Sequence, residues 1–269
     1  MKKRLWLLAA AVIAAAGVVG TAVSSPVTPA FDRGLPTANL NNAAGALRSN
    51  VAWSNGNDYV SGDDFTLGTS GQKWVISQIR TWNIGPLGVS FGDEFSNVTL
   101  YFGTGAISPL VTPNITHTPV TYADGSNYQA TGGSYRQIWQ NDFQNLGLVV
   151  NGGQKYYFAV DGTSTSFWFN HASNAALSGS PQEGADGKWV AWAKNALSTP
   201  NFCDSGAAPG GVCDGGWDKS SDINVQVFAS QEATDKNSCK DDGWQSLARS
   251  DGSTFKNQGD CIQYANTGK

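Results

Sequence analysis

The sequence predicts an all-β domain, either a sandwich or a barrel. Three observations carry the prediction. Charged residues make up only 14% of the 269, whereas glycine alone numbers 32. Glutamate is confined to Glu94, Glu183 and Glu232, although long helices favour Ala, Leu, Glu and Lys. Short β-branched and aromatic runs recur between loops rich in Gly, Ser, Asn and Pro, which is the rhythm of strands and turns.

A segment of a different kind precedes the strands. Lys2, Lys3 and Arg4 lead an uncharged apolar run from Leu5 to Val23, and Ala22 and Ser24 have the spacing of a signal-peptidase site. Residues 1–24 are therefore expected to be an export signal, removed from the mature chain. Left uncut, the run would be long enough to anchor the chain in a bilayer. Its Ala, Gly and Val content and its small-residue end favour cleavage. Residues 25–30 read as a short lead-in. The full chain carries 17 basic and 21 acidic residues, a net charge of −4, and three of the basic ones leave with the signal. An acidic chain without a Lys/Arg cluster disfavours nucleic acid and anionic membrane as partners. A secreted protein is expected.

The strands follow in order. Asp64 to Leu67 begins one. Trp74 to Trp82 is the clearest, rich in Trp, Val and Ile, although both of its faces are mixed. Val98–Phe102, Tyr135–Trp139 and Leu146–Val150 come next. Asn151-Gly152-Gly153 then marks a tight turn, because the favoured hairpin turns need positive φ at their centre. Gln154–Val160, Ser166–Asn170, Lys188–Trp192 and Ile223–Phe228 complete the set. In the last, Ile223, Val225 and Val227 alternate with Asn224 and Gln226, the mark of a half-buried strand. Residues 31–230 are expected to form one domain, since all-β units of this length are commonly single.

After Ser230 the composition turns polar. Residues 231–238 read as a linker and 239–269 as a small closed unit. The four cysteines, Cys203, Cys213, Cys239 and Cys261, allow three pairings. Proximity favours Cys203–Cys213 and Cys239–Cys261, for which loop-closure entropy gives about 2.7 and about 3.4 kcal/mol. A zinc site is the weaker reading, because the chain has no Cys-x-x-Cys pair. Thirty-odd residues cannot build a core without such a staple; Trp244 and Phe255 are expected to cover it.

The tail pattern Cys239-Lys-x-x-Gly-Trp, then Phe255-Lys-Asn-Gln-Gly-x-Cys261, resembles a C-terminal signature that recurs on uncharacterised bacterial secreted proteins. In the body, Gly62-Asp-Asp-Phe-Thr-Leu, Trp74-Val-Ile and Gly152-Gly-Gln-Lys-Tyr-Tyr-Phe resemble bacterial exported jelly-roll-like domains. The resemblance implies a jelly-roll-type β-sandwich with a disulfide-closed C-terminal subdomain, and a fold by itself implies no activity.

Three chemistries have candidate residues. Asp58, Asp63 and Asp64 precede an early strand, and Asp218 and Asp222 precede the last one. First and last strands of sandwiches are often neighbours, so these carboxylates would meet as a calcium site, although no EF-hand spacing is present. Trp168, Trp189, Trp192 and Trp217, with Asn170, are candidates to stack on sugar rings and hydrogen-bond their hydroxyls. The competing reading puts each Trp in the core. Catalysis lacks a constellation. Asp93 and Glu94, if in a strand, would point to opposite faces, and neither His117 nor His171 accompanies a Gly-x-Ser-x-Gly. The sequence favours a non-catalytic binding or surface-interaction module, for an extracellular glycan or a surface protein, needing no cofactor unless calcium; the alternatives are a structural or adhesive extracellular protein with a protein partner and a hydrolase with an unrecognised site.

Overall fold

Residues that alternate inward and outward along extended segments need two sheets to share what they bury. A computed structural model describes residues 28–37, 58–111, 114–129, 133–173, 183–203 and 222–269. The expected signal, Cys213, Trp217 and Asp218 lie outside the described residues. In chain order the elements begin with β1 (Phe31–Asp32), β2 (Tyr59–Thr66), β3 (Lys73–Pro86) and α1 (Phe91–Glu94). Then come β4 (Phe95–Gly103), β5 (Ile107–Pro109), β6 (Asn114–Val120), β7 (Tyr128–Gln129), β8 (Tyr135–Asn151), β9 (Lys155–Ser164) and β10 (Phe169–Asn170). β11 (Trp189–Ala193), β12 (Asn201–Cys203), β13 (Val225–Glu232), β14 (Leu247–Ala248) and α2 (Gln258–Thr267) end the chain.

One sheet has eight strands, its main path running β1-β13-β3-β8-β6, and the other has six, in the order β12-β11-β2-β9-β4-β5. Take β1, β2, β3, β4, β5, β8, β9 and β13 as eight consecutive strands. The first, eighth, third and sixth then lie side by side in one sheet, and the second, seventh, fourth and fifth in the other. That is the double Greek-key order of a jelly roll, so the predicted all-β sandwich is the fold. β11 and β12 extend one sheet beyond β2, and β6 extends the other beyond β8.

Ile76 and Ile79 on β3, Phe143 on β8, and Val225 and Val227 on β13 face Phe65 on β2, Phe158 and Val160 on β9, and Leu100 on β4. Burying each such side chain removes enough apolar surface to contribute about 1.5–3 kcal/mol. Close approach of β2 to β9 requires Gly62: a Cβ there would sit 1.8 Å from the Phe158 carbonyl oxygen.

The sequence reading needs three corrections. First, Tyr135–Trp139 and Leu146–Val150 are one strand, the 17-residue β8. Its middle reads as polar because Gln140, Asp142 and Gln144 face outward, and the sheet bulges just beyond them. β3 skips register between Ile76 and Gln78, and Asn145 (φ 56°) and Gly147 (φ 59°) absorb the extra residues opposite. Second, the first two residues of the expected linker are strand. β13 runs on to Glu232, where Gln231 and Glu232 pair in parallel with Leu247 and Ala248 of β14. The tail is therefore paired to the end of β13 through Leu247 and Ala248. Third, the tail holds a helix, α2. Asn257 caps it by accepting from the Asp260 N–H at 2.9 Å, but only Cys261 and Tyr264 are buried on it, too few to show a helical period.

Cys239 and Cys261 are bonded as expected. They sit in a separate small core with Ala233, Leu247, Phe255 and Tyr264; Phe255 is buried there, and Trp244 packs partly buried against it. Cys203 is also disulfide-bonded. The Tyr264 hydroxyl donates to Glu232 Oε1 at 2.9 Å and accepts from the Ser250 N–H at 2.8 Å, tying α2 to the end of β13. Cys261→Ser is expected to cost the tail about 3 kcal/mol and to make residues 239–269 the first site of trypsin cleavage. The sandwich's own calorimetric transition should persist, because its core shares no residue with the tail's.

Candidate functional site

Two of the expected carboxylates do converge. β1 carries Phe31 inward and Asp32 outward, so Arg33 turns back in between the sheets and is fully buried. Its Nη1 lies 2.8 Å from Asp63 Oδ2 and 3.6 Å from Asp222 Oδ1. Its Nη2 donates to the Asp64 carbonyl at 2.8 Å and to that of Gly184 at 3.1 Å, while Nε donates to the Glu183 carbonyl at 3.2 Å. Asp63 accepts from the N–H groups of Asp64 and Ile223, and Asp222 from those of Asp186 and Gly187. Asp64 turns toward the rim and meets Lys155 Nζ at 2.7 Å.

The cation at the centre of the predicted calcium cluster is therefore a guanidinium. Asp58 is not part of it; it is exposed and lends its carbonyl to the Lys194 N–H. Among the described residues no group of three or more His, Cys, Asp or Glu is placed to hold a metal ion. Burial pushes the Asp63 carboxyl upward, and Arg33 pulls it back down; Asp222 is raised by burial against the same pull.

Three of the four candidate tryptophans, Trp168, Trp189 and Trp192, are core residues. Trp168 is packed edge-on against Phe95, with ring centroids 4.4 Å apart. Trp189 faces inward with Ala191. Trp192 points to the other face of the six-stranded sheet, yet lies buried with Val60, Tyr157, Ala159 and Val190, its Nε1 donating to the Gly105 carbonyl at 2.9 Å. All three are 2% exposed or less. A sugar ring stacks on an exposed ring face, so none of these three is available for it.

Asn170 is buried too, within a chain of amides that crosses between the sheets. His117 Nδ1 donates to Asn141 Oδ1 at 2.7 Å, and Asn141 Nδ2 to Asn83 Oδ1 at 2.6 Å. Asn83 Nδ2 donates to Asn170 Oδ1 at 2.7 Å, and Asn170 Nδ2 to Ser61 Oγ at 3.0 Å. Asn141, Asn83 and Asn170 each give and take, and a connected buried network of this kind rigidifies and specifies a core. His117 closes the outer end, stacked on Phe91 at 3.6 Å.

His171 belongs to a second buried set. Two acceptors, the Ala172 carbonyl and Asn224 Oδ1, face its Nδ1, so Nδ1 carries the proton and Nε2 accepts from the Tyr122 hydroxyl at 3.0 Å. Burial pushes its pKa down to about 4. Glu94 lies in α1 rather than in a strand. Burial raises its carboxyl, but donors from Thr165 and Ser166 outweigh that and hold it below the ordinary range. The site is a loop lock rather than an acid.

The surface feature that the sequence reading missed is the outer face of the eight-stranded sheet. Asp32, Gln226, Arg80, Asp142 and Thr116 stand opposite one another on five successive strands. With strands about 4.8 Å apart, the row is about 19 Å long. Arg80 grips Asp142 with Nε at 2.5 Å and Nη2 at 3.3 Å. Gln78 Nε2 donates to Asp142 Oδ1 and Gln140 Nε2 to Oδ2, each at 3.0 Å. Arg80 Nη1 donates to Gln226 Oε1 at 3.4 Å, and Gln226 Nε2 to Asp32 Oδ2 at 3.1 Å. The Arg80 guanidinium also lies over the Phe228 ring. Next to the row, Trp82, Ile84, Tyr122, Tyr128 and Ile138 form an apolar cluster with partly buried Phe169. Phe169 touches Phe167, which in turn lies under Arg136. The signal for this face was present: Gln78-x-Arg80, Gln140-x-Asp142-x-Gln144 and Gln226-x-Phe228 repeat at the strand period of two.

The chain matches no model of a known protein family, no curated protein and no solved structure.

His171 must stay neutral when folded and titrates near its ordinary value when unfolded. Between pH 6.5 and 4 the unfolded chain therefore binds the extra proton, and His171's contribution is present above pH 6.5 and lost as pH falls. Denaturant unfolding across that range should show the wild type's stability advantage over His171→Gln shrinking by up to about 1.4 kcal/mol per pH unit. A constant difference would mean that the histidine is not held neutral.

Proposed function

We propose that the chain is an extracellular, non-catalytic glycan-binding module whose binding surface is the outer face of the eight-stranded sheet. The observation that carries the reading is the cross-strand row from Asp32 to Thr116, flanked by Gln78 and Gln140. Sugar hydroxyls are donors and acceptors at once, and an amide or carboxylate array fixed by its own lateral hydrogen bonds meets them without first being ordered. Export is supported by the N-terminal signal pattern and by disulfide use; among the described residues no helix is long and apolar enough to cross a membrane. Recognition in this reading rests on polar side chains rather than on the tryptophans, with Phe167 and Phe169 as the partly exposed aromatics beside the row.

Affinity electrophoresis in gels containing soluble polysaccharides tests this. The wild type is expected to be retarded by at least one polysaccharide, and Arg80→Ala to lose most of that retardation while keeping a cooperative melting transition. Uniform migration of the wild type across a broad panel would refute the reading.

A further inference from the structure

Resting on that reading, we infer that the glycan is uncharged and lies across the strands along the row, donating its hydroxyls to the amide oxygens of Gln78 and Gln140. The inference comes from which atoms the face has already used. A carboxylate can only accept, so the side-chain atoms of Gln78 and Gln140 that face Asp142 are their amide nitrogens. Their Oε1 atoms therefore point the other way, and among the described residues nothing donates to either. Both residues are half-buried, so each oxygen is presented on a side chain that is already anchored.

The one cation on the row is committed as well. Arg80 spends Nε and Nη2 on Asp142 and Nη1 on Gln226. Asp32, at the end of the row, meets no basic side chain among the described residues. Its carboxylate accepts from Gln226 and from the Gly34 N–H. The row thus carries two carboxylates against one guanidinium. A sulfate, phosphate or uronate would meet acceptors and excess negative charge, whereas a neutral polyol meets acceptors that match its donors. Orientation follows from the same residues. The lateral hydrogen bonds run from strand to strand, so the continuous array is perpendicular to the strands.

The test compares retention on insoluble neutral polysaccharides, such as cellulose, mannan and xylan, with retention on sulfated and uronate-rich ones at low salt. The wild type is expected on at least one neutral matrix, with at least tenfold weaker retention on the charged ones. Gln78→Ala/Gln140→Ala should lose about tenfold on the neutral matrix, with near-ultraviolet circular dichroism unchanged. Asp142→Asn releases Arg80 and should raise retention on the sulfated matrix. If Asp142→Asn fails to fold, the double glutamine variant still decides. Retention of the wild type on charged matrices alone would overturn the inference and leave the glycan-binding reading standing. Undiminished neutral binding by the double glutamine variant would also overturn it. No retention on any matrix would remove the reading beneath it.

Discussion

The sandwich closes on one buried guanidinium. Taking a charge out of water costs several kcal/mol after relaxation, and an opposite charge repays that only where the remaining donors and acceptors are also satisfied. Arg33, at the end of β1, draws on three other stretches of chain: Asp63 and Asp64 of β2, the 183–184 turn, and Asp222 ahead of β13. The carboxylates it meets are themselves held by the N–H groups of Asp64, Ile223, Asp186 and Gly187. β1 is two residues long and pairs with β13 alone. What keeps this short strand in register is the side chain that follows it, which reaches into the opposite sheet.

With that corner closed, the same strands serve two purposes. β3 sends Ile79 into the core and Arg80 to the outer face, and β8 sends Phe143 inward and Asp142 outward. Inside, the amides run in a connected chain from His117 to Ser61. Outside, the polar row is fixed laterally but leaves acceptors unspent. This asymmetry between a closed interior network and an open exterior one separates the residues that hold the fold from those assigned to binding.

Much of this was legible in the sequence. The alternation of Ile223, Val225 and Val227 predicts which face of β13 is buried, and the meeting of Asp63 with Asp222 follows from first and last strands lying close. The identity of the cation was not legible, because a lone Arg33 has no local pattern and its partners are brought by the fold. Whether Trp189 and Trp192 face the core or a ligand was not legible for a related reason. In Trp189–Trp192 both faces of the strand are apolar, so alternation gives no inside, and each side of the six-stranded sheet has its own apolar cluster. The polar row was hidden because Gln is read as generic surface when strands are taken one at a time. It becomes a continuous row only when register aligns five of them.

The most direct test of the Arg33 account is a double-mutant cycle between Arg33→Met and Asp63→Leu, read by equilibrium denaturant unfolding. Each single change strands a buried charge, whereas the double change strands less, so a coupling energy of about 2 kcal/mol or more is predicted. Additivity within about 0.5 kcal/mol would show that the two side chains do not depend on one another, and that something other than this ion pair closes the sandwich.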